Sequence, residues 1–198
     1  MRTLIFASNN RHKADEIKAI LGDAFSILTL SECGIHTDIP EPHQTLEENA
    51  REKSTTIYRL TGTDCFSEDS GLEVDALHGA PGVHSARYAG TPADTDANNR
   101  KLLTELQGIK NRKARFRTVI SLLLNGREYQ FEGTCHGTIA ESPAGDAGFG
   151  YDPLFIPDGA TQTFASMSME QKSAISHRKK ALAAMTDFLT SLHQQTTS

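Results

Sequence analysis

Thr3-Leu4-Ile5-Phe6-Ala7-Ser8-Asn9-Asn10 is an apolar, partly β-branched run that breaks off in a polar turn. Beyond the turn, residues 12–21 carry Ala14, Ile17, Ile20 and Leu21 at the spacing of one helical face, and Gly22 follows as a C-cap. A strand, a polar turn and a helix in that order predict an α/β fold that binds its ligand at element ends. Working outward, Thr45-Leu46-Glu47-Glu48 has capping-box spacing. It predicts a helix with Leu46, Ala50, Lys53, Ile57 and Leu60 facing inward and Gly62 at its end. Residues 64–67 read as a short buried strand, and Asp94 as the cap of a helix that turns Leu102, Leu103 and Leu106 inward. Residues 115–124 and 128–139 form a hairpin around Asn125-Gly126, which suits a type I′ turn. In its second strand Tyr129, Phe131, Cys135 and Ile139 alternate with Glu128, Gln130, Glu132, Thr134 and His136, so one face should meet solvent. Residues 151–156 read as a short strand, and Ser168 with Gln171 as a capped short helix. Ser176 caps a last helix striped by Leu182, Met185, Leu189 and Leu192. The hairpin is antiparallel while the early units favour parallel pairing. The expectation is one α/β domain over residues 1–193, a mixed twisted sheet flanked by helices, with 194–198 a frayed polar tail.

The chain has 198 residues, enough to bury roughly 70 % of its unfolded surface without staples. A net charge of -5 argues against a nucleic-acid partner held by counterion release. The longest strongly apolar run, residues 118–124, is far below the roughly 20 residues of a membrane span. The first apolar run is too short for a signal-peptide core, and Cys33, Cys65 and Cys135 are scattered without CxxC spacing. These features point to a cytoplasmic protein with reduced thiols.

Four polar segments carry candidate chemistry. Ser8-Asn9-Asn10-Arg11-His12-Lys13 puts hydroxyl, amide and cationic donors at a helix start, where free N–H groups favour anions. Taken alone it reads first as a helix cap with surface cations. Glu68-Asp69-Ser70-Gly71 places two carboxylates at the end of the predicted strand, a set of hard oxygens that suits Mg²⁺; the plain alternative is an acidic turn. Glu41, between Pro40 and Pro42, sits on a stiff extended loop, and Lys53 on an apolar helical face must find an anion or snorkel. Gly148-Phe149-Gly150-Tyr151-Asp152-Pro153 can offer Phe149 to a flat ring. Finally, Lys172 with Ser176-His177-Arg178 puts cations in a first helical turn, where they oppose the dipole and so point to function.

In this order, together with Glu48-Asn49-Ala50, Gly79-Ala80-Pro81-Gly82 and Ser85-Ala86-Arg87-Tyr88, these segments resemble the inosine/xanthosine triphosphate pyrophosphatase family over nearly the whole chain. The resemblance implies a Maf/ITPase-type architecture and a homodimer. It also implies Mg²⁺-dependent hydrolysis of ITP, dITP and XTP to the monophosphate and pyrophosphate, which clears deaminated purines from the nucleotide pool. By the same resemblance Asp69 is the base and Lys13 the second catalytic residue. Asp69, Glu41 and Glu68 hold the metal, and Ser8, Asn9, Asn10, Arg11, His12, Lys13, Lys53 and Ser70 attend the phosphates. Phe149 with Gly150, Tyr151 and Asp152 takes the purine, while Lys172, His177 and Arg178 read its edge. Two departures stand out: Ser8-Asn9-Asn10 replaces a T-G-N turn, with Asn9 standing in for a glycine by tolerating left-handed angles, and Glu68 replaces an aspartate.

Donors aimed at a 6-keto oxygen meet the 6-amino group of adenine, and unpaired buried groups can reject by roughly 10⁴-fold. Three other readings stay open on residues alone. One is a pyrophosphatase for other modified nucleotides. Another is a non-catalytic nucleotide-binding regulator, which three clustered carboxylates oppose. The third is a serine hydrolase using Ser70, against which stands the lack of a GxSxG elbow.

Overall fold

The computed structural model describes residues 3–21, 25–37 and 39–196; Gly22, read as a C-cap, lies outside them. Six strands form one mixed sheet in the order β2-β1-β3-β4-β5-β6. They are β1 (Thr3–Phe6), β2 (Ser26–Thr29), β3 (Cys65–Val74), β4 (Lys113–Leu124), β5 (Arg127–Ile139) and β6 (Phe155–Pro157). The helices are α1 (Arg11–Leu21), α2 (Leu46–Thr61), α3 (Thr95–Glu105), α4 (Met169–Ile175) and α5 (His177–Thr196). β1 pairs in parallel with β2 and β3, while β5 and β6 are antiparallel. Asn125 and Gly126, at φ 50° and 77°, make the expected turn between β4 and β5. No described helix is long and apolar enough to cross a membrane.

The chain divides into two compact units, Met1–Asp69 with Thr118–Gly133 and Arg178–Ser198, and Ser70–Arg117 with Thr134–His177. In the first unit both sheet faces are covered. Leu4 and Phe6 of β1 pack with Ile17 of α1 and Leu182 and Met185 of α5, whereas Ile5 and Ala7 pack with Ile57 of α2. This is why residues 118–124 are buried on both faces and form the longest apolar run. In the second unit Ala114, Phe116, Cys135 and Ile139 pack with Leu102 and Leu106 of α3. The other face of those strands, with Lys113, Arg115, His136 and Thr138, is exposed, as the alternation predicts.

Four local expectations change. β3 does not stop at Ser67 but runs through Glu68-Asp69-Ser70-Gly71 to Val74. Gly71 permits this, because a Cβ there would lie 2.5 Å from the Gly82 carbonyl oxygen. Leu60 is exposed rather than inward, and Asn49 and Ser54 share the buried face of α2 instead. Residues 151–154 form turns, with Leu154 N–H donating to Tyr151 O at 2.9 Å, so β6 begins only at Phe155. α5 extends to Thr196, through most of the segment read as a frayed tail. The four-residue β2 lacks a pattern of its own and was not expected.

Candidate functional site

The first cluster of charged groups lies in the first unit. Ser8 Oγ accepts from Asn10 N–H at 3.2 Å, and Asn10 Oδ1 accepts from Lys13 N–H at 3.1 Å, so Asn10 caps α1. Asn9 keeps a negative φ and donates to Thr37 O at 3.3 Å, so this turn has no need of a glycine or of a left-handed Asn9. Arg11 and His12 are exposed at the helix start, and Lys13 is half-buried.

Because β3 continues through the acidic pair, Glu68 and Asp69 point to opposite faces, Glu68 toward Arg178 and Asp69 toward Lys53. Glu68 is fully buried and bidentate on Arg178, with Nε–Oε2 and Nη2–Oε1 both 2.8 Å, and its Oε1 lies 3.2 Å from Lys13 Nζ. Arg178 Nη1 donates to Glu16 of α1. Glu68, read as a metal ligand, has both oxygens engaged by cations here, and Arg178, read as a base-edge donor, is directed at two carboxylates. The cationic first turn of α5 is thereby compensated by anions from α1 and β3. Glu16 was missed because its partner is 162 residues away in sequence; its only signal is a charge beside the Ala14–Ile17 stripe.

Across the strand, Lys53 does not snorkel. Its Nζ lies 2.6 Å from Glu41 Oε1 and 2.9 Å from Asp69 Oδ1, with both the lysine and Asp69 buried. One turn earlier on α2, Asn49 accepts from His43 N–H at 2.9 Å and donates to His43 O at 3.2 Å, pinning the loop that carries Glu41. Burial raises the Asp69 carboxyl above its usual value, and the Glu41 charge adds to the rise while Lys53 and Lys13 oppose it. Burial also pushes Glu41 upward, but Lys53 and Lys13 outweigh it and hold this carboxyl below its usual value. For Lys53 the cost of burial is overcome by Asp69 and Glu41, which keep it cationic. A buried carboxyl whose proton affinity is raised beside one whose affinity is lowered is an arrangement suited to a base next to an anion.

Among the described residues no three Asp, Glu, His or Cys side chains stand close enough to make a complete metal cage. The converging Glu41 and Asp69 oxygens fit a hard dication that keeps most of its waters, and the ammonium of Lys53 now stands between them.

The second cluster lies in the second unit. Asp152 Oδ2 accepts from Phe149 N–H at 2.8 Å and from Lys172 Nζ at 2.7 Å. The same ammonium stands 4.9 Å from the Phe149 ring centre. Gly148, at φ 73°, is required, since a Cβ there would collide with the Asp152 carboxylate. Phe149 is half-buried, and His177, buried, stacks on Phe116 at 4.8 Å between ring centres. Tyr151, expected among the substrate contacts, is turned into the core with its hydroxyl donating to Ser85 O at 2.9 Å. Ser70 is half-buried where β3 enters this unit. A cleft of about 620 Å³ opens on the polar sheet face among Glu73, Lys113, Arg115, His136 and Asp158. No candidate site residue lines it, and Glu73 there is paired with Arg115 at 2.6 Å.

The chain and its fold have close counterparts. A dITP/XTP pyrophosphatase of Porphyromonas gingivalis is 52 % identical over 190 residues, covering 96 % of this chain and 98 % of that protein. One from Flavobacterium psychrophilum is 49 % identical, covering 93 % and 97 %. Among solved structures, the Ham1 protein of Staphylococcus aureus superposes with a TM-score of 0.87 at 39 % identity, covering 96 % of this chain and 99 % of that one. A HAM1 protein from Coxiella burnetii gives 0.88 at 36 % identity, covering 96 % and 100 %. The family model described as the Ham1 family matches residues 4–188, and the chain belongs to that family.

Proposed function

We propose that this protein hydrolyses deaminated purine nucleoside triphosphates (dITP, ITP and XTP) at the α-phosphorus, releasing the monophosphate and pyrophosphate. The observation that carries the reading is the buried Asp69, its carboxyl raised above the usual value by burial, bridged to Glu41 by Lys53 and neighboured by Lys13. The names of the relatives, dITP/XTP pyrophosphatases, support the same substrates.

Asp69 accepts the proton of the attacking water; an unperturbed carboxylate, with a pKa of about 3.9, would be a weaker base. Lys53 holds the Asp69 and Glu41 oxygens in place and keeps their mutual repulsion down. Glu41 and Asp69 would hold Mg²⁺, which when bound neutralises phosphate charge and lowers the pKa of its water. Lys13, Ser8 and Asn10, at the start of α1, hold phosphate oxygens, with Arg11 and His12 exposed beside them and Asn9 and Ser70 in support. Phe149 stacks on the base and Gly150 lets it approach. Lys172 and His177 donate toward a 6-keto oxygen, with Asp152 fixing the lysine, and a 6-amino group would leave them facing another donor. Arg178 anchors Glu68 and the start of α5. The working assembly is a homodimer in the cytoplasm.

Phosphate appearance from ITP is measured with and without added inorganic pyrophosphatase, in Mg²⁺ and in EDTA. Signal only with Mg²⁺ and the coupling enzyme together is expected. Phosphate without the coupling enzyme would place the cut at the γ-phosphorus and overturn the reading.

A further inference from the structure

We propose that Asn99 of α3 is a positioning residue for base recognition, its side-chain amide holding the Gly150 carbonyl and so fixing where the Phe149 ring stands. The inference rests on the reading that Phe149 takes the base.

Phe149 lies between Gly148 and Gly150, at φ 73° and 64°, in a segment that belongs to no helix or strand. Two such glycines leave the ring's backbone free to swing unless it is tied on both sides. On one side the tie is Phe149 N–H on the Asp152 carboxylate at 2.8 Å. On the other, Phe149 O accepts from Asp152 N–H at 3.2 Å, and Asn99 Nδ2, donating to Gly150 O at 3.1 Å, ties the loop to α3.

The anchor behind Asn99 is itself rigid. Asp94 caps α3 by accepting from Ala97 N–H at 2.9 Å. The next-door Asn98, about 100° around the helix, is buried. It accepts from Ala89 N–H at 2.6 Å and donates to Ala86 O at 3.0 Å and Ser85 O at 3.4 Å. Ser85 O also accepts from the Tyr151 hydroxyl at 2.9 Å, while Ser85 Oγ accepts from Leu72 N–H at 2.9 Å. Residues 85–89, the start of α3 and residues 150–151 therefore form one hydrogen-bonded ring, with Asn99 the member that reaches the aromatic loop. Asn99 is only half-buried, and water can solvate Gly150 O in its place, so the fold does not depend on it. What depends on it is preorganisation: a ring already in place costs less entropy to stack on.

The test uses Asn99→Ala and Asn99→Asp, the second keeping the shape while removing the donor. The Michaelis constant for ITP should rise about five- to tenfold, the factor carried by one ordinary hydrogen bond, with kcat within twofold. The inhibition constant of inorganic tripolyphosphate, a probe without a base, and the melting temperature should not move. An ITP KM within twofold of the parent's in both variants, or an equal rise in the tripolyphosphate constant, overturns the proposal. Phe149→Ala, measured alongside, separates the two levels. If it leaves the ITP KM unchanged, the base-stacking reading fails and takes this inference with it. If it raises KM tenfold while the Asn99 variants do not, only the positioning role of Asn99 falls.

Discussion

In the first unit three cations, Lys13, Lys53 and Arg178, are set among four carboxylates, Glu16, Glu41, Glu68 and Asp69, whereas the Phe149 site of the second unit sets the ion pair Lys172–Asp152 amid rings and backbone hydrogen bonds. The difference matches what each region has to do. A triphosphate needs opposing charges held apart at fixed points, and burial makes those charges chemically potent by shifting their proton affinities. A purine needs a flat surface and a few donors whose direction matters more than their charge. Charge in the first unit should therefore govern turnover and stability, and geometry in the second should govern which base is accepted.

The sharpest way to break that division is Asp69→Asn, which removes the anion and keeps the shape. We expect kcat to fall about 10³-fold, or roughly 4 kcal/mol in the barrier, with ITP and XTP affected alike and the melting temperature preserved. Near-parental turnover would remove Asp69 from the mechanism. Arg178→Ala probes the other side of the same strand. It leaves Glu68 and Glu16 buried without their shared cation, a loss of about 3 kcal/mol, or roughly 6–12 °C in melting temperature. Activity should drop with every base and the ITP-to-ATP ratio of kcat/KM should stay within threefold. A tenfold fall in that ratio would instead restore Arg178 to the base edge.

The pairing of Arg178 with Glu68 and Glu16 marks where sequence reasoning runs out. The strand–turn–helix opening, the capped helices and the Asn125-Gly126 hairpin are legible because each is decided by near neighbours: spacing, a cap three residues away, a positive-φ pair. The candidate residues are legible too, since Lys53 on an apolar stripe and cations in a first helical turn both violate local rules. What they pair with is not. Glu68 and Asp69 read as one acidic turn, because alternation to opposite faces requires knowing that β3 continues past Ser67, and that depends on Gly71 meeting Gly82 across 11 residues of sequence. Asn99 gave no local signal, being one polar residue among several on a surface helix.

Lys13→Ala should act next most strongly. A phosphate contact carries no base information, and a charged hydrogen bond contributes about 2 kcal/mol, so KM should rise about thirtyfold for ITP, XTP and ATP together. The same variant also removes one of the cations that hold the Asp69 carboxyl down. Loss confined to ITP, with XTP spared, would move Lys13 from the phosphates to the base and erase the contrast between the two units.

The weakest expected effect tests whether burial, rather than pairing itself, makes the first unit's charges matter. Glu32 accepts from Lys18 Nζ at 2.8 Å and from Thr29 N–H at 2.7 Å, both side chains being largely exposed. The hydrogen bond from Lys18, followed by those from Thr29, lowers its carboxyl from 4.5 to about 2. A carboxyl depressed in the folded chain adds stability above its unfolded value, and that increment is lost as pH falls from about 4.5 toward 2. Because solvent screens the pair, the increment is under about 1 kcal/mol despite the large shift. Glu32→Gln should therefore lower the melting temperature at pH 7 by no more than about 3 °C, and the gap to the parent should narrow as the pH is taken from 5 to 3. A gap that matched that of Arg178→Ala, or that persisted unchanged at pH 3, would mean that an exposed pair counts as much as a buried one.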